Sequence, residues 1–177
     1  MKQILLLLSG MFFLSIADVQ LSNAQNKGND SLSRKTVTRR GKSRMKPKVR
    51  FINPTKLAKP PGYTHVVEVT GGRTIYIAGQ IALDSSGNIV GRGDFRAQTE
   101  RVFANLKTAL EFVGGDFKDV IKLNIYVTDI SQLAALREVR DKYVNTATPP
   151  ASTLVEVRKL AREELMIEIE AIAVLPE

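Results

Sequence analysis

From residue 63 onward, the hydrophobic positions of the chain alternate between the two-residue period of a β-strand and the three-to-four-residue period of an α-helix. Residues 64–69 and 73–78 are rich in β-branched and aromatic side chains and flank Gly71-Gly72, a pattern typical of a β-hairpin with a short turn. A third extended segment is predicted for residues 81–90. The folded region is therefore expected to begin with β-structure.

Two amphipathic helices follow in the pattern. The first is predicted to begin at Asp94, whose side chain can cap the N-terminus, and to end at Gly114-Gly115. The second is predicted to begin at Ser131 and must end before Pro149-Pro150, because proline cannot continue a helix. Their apolar stripes are Val102, Leu106, Ala109, Leu110 and Val113 in the first helix and Leu133, Leu136, Val139 and Tyr143 in the second. Each helix is expected to bury one face.

Residues 120–128, 152–158 and 167–174 show the strict alternation of strands. One predicted face of these strands combines apolar and polar residues, namely Tyr126, Leu154, Ile172 and Val174 with Asn124, Glu156, Glu168 and Glu170. This mixture favours a subunit interface that contains a polar pocket, with a solvated or salt-bridged face as the alternative for the two glutamates of the last strand. The pattern as a whole predicts an α+β fold with two helices on one face of a sheet.

The residue types limit the available chemistry. The 177 residues include no cysteine and one histidine, which excludes a disulfide scaffold and a Cys/His zinc site. A Ser-His-Asp arrangement would have to use His65, and no nucleophile-elbow sequence accompanies this residue. Any chemistry must therefore come from carboxylates, hydroxyls, arginines, lysines or backbone groups.

The first 24 residues are predicted to be a secretory signal peptide. Lys2 precedes an uncharged run over residues 4–17, and the small residues Ser22 and Ala24 fit cleavage after residue 24. An uncleaved membrane anchor is the alternative, but the run is shorter than the roughly 20 residues that span a bilayer. The mature protein is therefore expected to be exported to the periplasm or the extracellular space, and to be cytoplasmic if residues 1–24 are no signal peptide.

The formal net charge of +8 is concentrated in a basic segment. Residues 25–50 contain ten lysines and arginines against one aspartate, whereas residues 51–177 carry fifteen basic and sixteen acidic side chains. Residues 25–60 are predicted to be a disordered linker that precedes the folded domain at 61–177. The basic segment is expected to be either a solvated spacer or an attachment to nucleic acid or another anionic surface. Basic residues after an apolar run also tend to remain cytoplasmic, which conflicts with export.

Several motifs of the predicted domain, in order over about residues 61–174, resemble the Rid/YjgF family, also called the L-PSP endoribonuclease family. They are Ala78-Gly79-Gln80-Ile81, Asn105-Leu106, Gly114-Gly115, the strand at 122–129, Pro150-Ala151-Ser152-Thr153-Leu154-Val155-Glu156-Val157 and Ile167-Glu168-Ile169-Glu170-Ala171. Each motif is short, but their order and spacing make the resemblance specific.

The resemblance implies a chorismate-mutase-like α+β fold and a homotrimer whose strands line a central barrel. It also implies small-molecule ligands in three clefts between subunits. For the best-known branch of the family, it implies hydrolysis of reactive enamines and imines such as 2-aminoacrylate to 2-oxo acids and ammonia. That reaction proceeds without a metal or a cofactor.

The resemblance further implies roles for five residues. Glu170 matches the catalytic carboxylate that holds or activates the attacking water. The substrate-binding positions are Tyr63, an aromatic residue from a neighbouring subunit that closes the pocket, and Gly79, a backbone donor. They also include Leu154, whose main-chain carbonyl faces the water, and Ser152.

Ser152 is the main departure from the family pattern. In the best-known branch an arginine at this position holds the substrate carboxylate through two parallel hydrogen bonds, and serine supplies neither the charge nor the second bond. Arg158 lies too far along the strand to replace that arginine within one subunit, and Arg73 or Arg96 could approach only through folding or assembly. Substrate recognition is therefore expected to be altered.

Three functions are compatible with these observations. The first is a Rid-like enamine/imine deaminase, a hydrolase acting on C=N bonds, with altered substrate recognition. The second is a non-catalytic trimer that binds a small metabolite in the cleft between subunits. The third is a trimer that presents three basic arms to nucleic acid or to an anionic surface. A fold alone does not select among them.

Overall fold

The structure of the chain is a computed structural model that describes residues 45–177. Within these residues it contains six strands, two α-helices and two single-turn 3₁₀-helices, the latter at Phe117–Asp119 and Ile130–Gln132. In chain order, the strands and α-helices are β1 (Lys48–Ile52), β2 (Val66–Thr70), β3 (Arg73–Ile81), α1 (Phe95–Phe112), β4 (Val120–Val127), α2 (Leu133–Arg140), β5 (Ala151–Glu156) and β6 (Ile167–Leu175). No helix in this part of the chain is long and apolar enough to cross a membrane.

Four strands form the main sheet, in the order β3-β6-β4-β5. Strand β6 pairs antiparallel with β3 on one side and with β4 on the other, whereas β4 and β5 are parallel. The parallel pair is joined through α2, since parallel strands cannot be joined by a tight turn. Helix α1 contacts β3, β6 and α2, and both helices lie on one face of the sheet. The predicted α+β fold with two helices on one sheet face is confirmed.

The predicted signal peptide and most of the predicted basic linker lie outside the described residues, so export and attachment to an anionic surface stay predictions. The prediction of disorder is wrong for Lys48–Ile52, which forms β1. This strand pairs antiparallel with β2, and Arg50 forms an ion pair with Glu68 at 2.6 Å across the pair. The half-buried side chains of Val49 and Phe51 alternate with exposed basic ones, which gives this segment one apolar face.

The predicted hairpin around Gly71-Gly72 is also wrong. Strand β2 pairs with β1 in a separate two-stranded sheet, whereas β3 pairs with β6. Both glycines have positive φ angles, +76° and +86°, so the chain does turn sharply there. The turn connects two sheets instead of two neighbouring strands.

Helix α1 has the predicted ends. At its N-terminus, the Asp94 carboxylate accepts a hydrogen bond from the Ala97 N–H at 3.0 Å. At its C-terminus, Gly114 adopts a φ angle of +82°, which terminates the helix. The buried stripe of α1 packs on the buried side chains of the sheet. The largest of these core side chains are Phe103, Leu106, Leu110, Leu123, Ile167, Ile169 and Leu175.

One buried polar side chain connects α1 to the segment before β6. Gln98 is fully buried, and its amide nitrogen donates to the carbonyl oxygens of Glu164 at 2.8 Å and Gly91 at 3.2 Å. Its amide oxygen accepts from the Met166 N–H at 2.8 Å. Three backbone groups that precede or follow regular structure are thereby satisfied inside the protein. This side chain fixes where the chain enters β6.

The strand register separates two faces of the main sheet. In β4 and β6, Asn124 lies opposite Glu170, whereas Ile125 lies opposite Ile169. The neighbouring parallel strand places Leu154 beside Ile125, so Leu154 lies on the face that the helices cover. The prediction that Leu154 and Glu156 share a face with Glu170 is therefore wrong. Because both faces of β5 mix polar and apolar residues, its own pattern does not determine which face is covered.

Candidate functional site

Three of the predicted substrate-binding residues line one cleft on the helix side of the sheet. This cleft, which we call the serine cleft, has a volume of about 390 Å³ and lies between β5, α2 and the segment that precedes β2. Tyr63, Ser152 and Leu154 form part of its wall. Two arginines of α2, Arg137 and Arg140, form another part. The cleft is thus walled by aromatic, hydroxyl, apolar and cationic groups.

Thr64 holds the neighbouring Tyr63 beside the start of β5. Its hydroxyl donates to the carbonyl of Pro149 at 2.6 Å, and its backbone N–H donates to the carbonyl of Pro150 at 3.2 Å. The Thr64 side chain is buried, so these bonds are shielded from water. They place Tyr63 and Ser152 of the same chain on one cleft.

The two arginines of α2 differ in what they contact. Arg140 is mostly buried, with 14% of its side chain exposed, and forms an ion pair with Asp141 at 2.7 Å. Arg137 is half-buried, and within residues 45–177 its guanidinium forms no hydrogen bond or ion pair. The serine cleft therefore contains one guanidinium with its donors available.

The arginines considered from the sequence lie elsewhere. Arg73 donates to the carbonyl of Val113 at 3.2 Å, and Arg96 forms an ion pair with Glu138. Arg158 is exposed beyond the end of β5. The two cleft arginines were not among the residues predicted from the sequence, although their spacing carries a signal. Together with Leu133 and Leu136 they are spaced at i, i+3, i+4 and i+7, which is one stripe of a helix.

Glu170 lies on the opposite face of the sheet, in a second cleft. This glutamate cleft has a volume of about 400 Å³, and its lining includes Glu168, Glu170, Tyr126 and Lys159. The Asn124 amide donates to Oε2 of Glu170 at 3.2 Å, and the Tyr126 hydroxyl donates to the same oxygen at 3.4 Å. In the described part of the chain, Glu170 has no cationic partner and its Oε1 accepts no protein hydrogen bond.

Tyr126 is held in its protonated form. Partial burial raises the pKa of its hydroxyl, and the negative charges of Glu170 and Glu168 raise the pKa further. The hydroxyl therefore remains a hydrogen-bond donor at neutral pH. Because Asn124 and Tyr126 both hold Oε2, the carboxylate is oriented while its second oxygen remains available to a ligand or water.

Gly79 lies against Glu168 at an irregularity of β3. The pairing of β3 with β6 shifts register between Ile77 and Gln80. A Cβ atom at position 79 would lie 1.9 Å from Oε1 of Glu168, so only glycine leaves room for this carboxylate in its present position. The role of Gly79 as a backbone donor to a ligand stays a prediction.

A single chain does not bring the five predicted residues together. Tyr63, Ser152 and Leu154 lie around the serine cleft, whereas Glu170 and Gly79 lie on the face with Glu168. One face supplies a cation and a hydroxyl, and the other supplies an oriented carboxylate. Among residues 45–177, no group of three or more carboxylate or imidazole side chains converges to hold a metal ion.

Comparison with known proteins gives consistent similarities. The model of the family described as endoribonuclease L-PSP matches residues 55–175. A RutC family protein from Pyrococcus abyssi is 38% identical over 119 residues, which cover 67% of this chain and 91% of that protein. A 2-iminobutanoate/2-iminopropanoate deaminase from Dermatophagoides farinae is 32% identical over 134 residues, which cover 74% of this chain and 99% of that protein.

Solved structures agree with these sequence matches. A Rid-family protein of unknown function from Yersinia pestis superimposes with a TM-score of 0.64 at 39% sequence identity. The match covers 72% of this chain and 98% of that one. The predicted chorismate-mutase-like architecture of the chain is thereby confirmed at the level of its fold.

Proposed function

The chain belongs to the L-PSP endoribonuclease family, also called the Rid/YjgF family, and from this premise we propose that it is a hydrolase of reactive enamines or imines with altered substrate recognition. One relative, the Dermatophagoides farinae protein, is named a 2-iminobutanoate/2-iminopropanoate deaminase. The oriented, cation-free carboxylate of Glu170 carries the proposal for this chain. The replacement of the family's arginine by Ser152 supports the change in recognition.

The proposed reaction needs only water as a second reactant. An enamine first takes up a proton at carbon and loses one from nitrogen, which converts it to the imine. Glu170 then accepts a hydrogen bond from a water molecule through its free oxygen and takes its proton as the water oxygen bonds to the imine carbon. Glu170 returns this proton to the nitrogen, which gives a carbinolamine. The hydroxyl proton of the carbinolamine then moves to the nitrogen as the C–N bond breaks, so that ammonia and a carbonyl compound leave and the carboxylate is restored. Holding the carboxylate and the substrate in fixed positions supplies much of the rate increase.

A homotrimer would unite the two clefts, and we propose that copies of this chain associate through the sheet face opposite the helices. This face carries the exposed side chains of Tyr76 and Val155, which are 78% and 40% exposed, beside the half-buried Ile172 and Tyr126. Exposed apolar side chains of this kind, beside the polar groups of the glutamate cleft, are typical of an interface between subunits that contains a polar pocket. In the trimer, the Glu170 of one copy would approach the serine cleft of its neighbour, so that the substrate would bind between subunits.

We expect the native chain to be a trimer in analytical ultracentrifugation and the Tyr76→Glu variant to dissociate. A new carboxylate in a closed apolar interface would lose its hydration without gaining a partner. The matched control is Ala134→Glu, which adds the same charge to the exposed side of α2 and should remain trimeric. A monomeric native chain would contradict the proposed assembly.

The proposed reaction is tested with a panel of imino acids that an amino-acid oxidase generates in the assay, together with 2-aminoacrylate. We expect the native chain to release ammonia from at least one of these imines faster than buffer does. Because Ser152 is smaller than arginine and uncharged, 2-aminoacrylate is not expected to be the best substrate. If every imine in the panel reacts at the rate in buffer while the ligands still bind, the chain is a binding protein and the proposed hydrolysis is wrong.

A further inference from the structure

The serine cleft contains a positive charge from helix α2, although Ser152 on strand β5 provides none. Ser152 contributes a hydroxyl from β5, and Arg137 contributes a guanidinium from α2 to the same cleft. A guanidinium has its donors in one plane and binds a carboxylate through two parallel bonds. The half-buried guanidinium of Arg137 has no acceptor among the described residues and is therefore available to an anionic ligand.

The second arginine of the cleft is already engaged. The Nε of Arg140 donates to Oδ1 of Asp141 at 2.8 Å, and a terminal nitrogen of the same guanidinium lies 2.7 Å from that oxygen. The same guanidinium packs on Gly62, where a Cβ atom would lie 2.8 Å from its nearest nitrogen. Gly62 precedes Tyr63, so Arg140 supports the segment that closes the cleft. Since Asp141 neutralises Arg140, Arg137 is the one uncompensated cation of this cleft among residues 45–177.

We infer that Arg137 holds the carboxylate of the ligand in the serine cleft, and that Arg140 is a positioning residue for Tyr63. Arg137 thus supplies from α2 the charge that Ser152 cannot supply from β5. The inference deepens the proposed function, on which it rests for the reaction that follows binding.

The remaining walls of the cleft define the ligand further. They are mostly apolar and include the side chains of Ile125, Leu133 and Leu136, with Pro61 and Thr153 at the rest of the lining. One uncompensated cation balances one carboxylate, and a second carboxylate would be desolvated against these walls without a partner. The ligand class is therefore a 2-imino or 2-oxo monocarboxylic acid with an apolar side chain.

Binding is measured by calorimetry on the full-length chain, with 4-methyl-2-oxopentanoate as the acid and its uncharged amide as the matched probe. Arg137→Gln is expected to weaken binding of the acid by about 10- to 100-fold, since one charged hydrogen-bonding partner is lost. Binding of the amide should remain unchanged. The affinity of Arg137→Lys for the acid should lie between those of the native chain and of Arg137→Gln, because lysine keeps the charge but lacks the planar guanidinium. Arg162→Gln, an exposed substitution in the segment between β5 and β6, is the control and should bind like the native chain.

A double variant tests whether Arg137 on α2 performs the role that an arginine at position 152 on β5 would perform. Adding Ser152→Arg to Arg137→Gln should restore at least part of the lost affinity for the acid. An arginine in the last turn of a helix also interacts with the helix dipole, but that role affects the unfolding temperature and not the difference between acid and amide. If Arg137→Gln fails to fold, the binding of acid and amide is compared in Arg137→Lys instead.

Two results would overturn the inference: a native chain that does not bind the acid, or an Arg137→Gln variant that loses affinity for acid and amide alike or for neither. The proposed hydrolysis fails separately. If binding of the acid depends on Arg137 but no imine is hydrolysed, the carboxylate-binding role of Arg137 is supported and the proposed hydrolysis is contradicted. If imines are hydrolysed with a KM that Arg137→Gln leaves unchanged, the proposed hydrolysis is supported and the carboxylate-binding role of Arg137 is contradicted.

Discussion

Replacing Glu170 with glutamine is expected to lower the rate of imine hydrolysis by about 100-fold or more, the usual contribution of a general base. The glutamine oxygen can still accept the hydrogen bonds of Asn124 and Tyr126, which are 3.2 and 3.4 Å from the carboxylate oxygen in the native chain. The side chain therefore keeps its size and orientation. It loses the ability to take a proton from water, so kcat should fall while binding of a 2-oxo acid is retained.

The measurement is ammonia release at saturating imine, with Glu163→Gln as the matched control. Glu163 is exposed in the segment between β5 and β6, and within residues 45–177 its side chain forms no hydrogen bond or ion pair. An unchanged kcat in Glu170→Gln would show that this carboxylate neither holds nor activates the water. A fall in kcat that is accompanied by loss of the trimer would instead assign Glu170 to the interface.

The substitution Gln98→Met is expected to destabilise the protein by about 3 kcal/mol or more. Methionine keeps the length of the side chain, but the Met166 N–H and the carbonyls of Gly91 and Glu164 lose their buried partner. Each backbone group left without a partner in the interior costs about 1–3 kcal/mol. The loss is measured as the change in the free energy of unfolding in urea.

Thr108→Ala provides the comparison for this substitution, because Thr108 lies on the exposed side of the same helix. In the part of the chain that the structure describes, its hydroxyl bonds only to the Ala104 carbonyl one turn before it. That variant should change the free energy of unfolding by less than about 0.5 kcal/mol. If Gln98→Met were as stable as Thr108→Ala, water or a local shift would be satisfying the three backbone groups. The amide would then not fix the entry to β6.

Local signals in the sequence were sufficient for the ends of α1, but not for α2, which begins two residues after the predicted Ser131 and ends before Tyr143. Asp94 and Gly114 mark the two ends of α1, because an N-cap carboxylate and a glycine with positive φ act within one turn of the helix. The strand β4 was equally clear, since Leu123, Ile125 and Val127 alternate with polar residues and are buried. Where a structural feature depends on residues only a few positions away in the chain, the sequence pattern is sufficient to predict it.

Strand partners were not predictable in the same way. The residues on both sides of Gly71-Gly72 have hairpin character, yet β2 pairs with β1 and β3 pairs with β6. An alternating strand can pair with any strand of matching character, and the choice is made by contacts that are remote in the chain. The same limit explains why β1 was assigned to the linker and why Leu154 was assigned to the wrong face.

The candidate site was predictable in its residues but not in its arrangement. The family resemblance identified Ser152 and Glu170, and the register then placed their side chains on opposite faces of one sheet. Arg137 was missed because a basic residue near the end of a helix is usually a solvated one. Only the packing of α2 beside β5 brings this guanidinium to Ser152.

The central position of β6 determines when the protein can fold. Although β6 is the last strand of the described chain, it is hydrogen-bonded to β3 on one side and to β4 on the other. A ribosome that has not yet released residues 167–175 therefore holds a chain whose sheet lacks its middle strand. The sheet cannot be completed until residues 167–175 have been synthesised and released, and until then the edges of β3 and β4 are open to chaperones and to premature association.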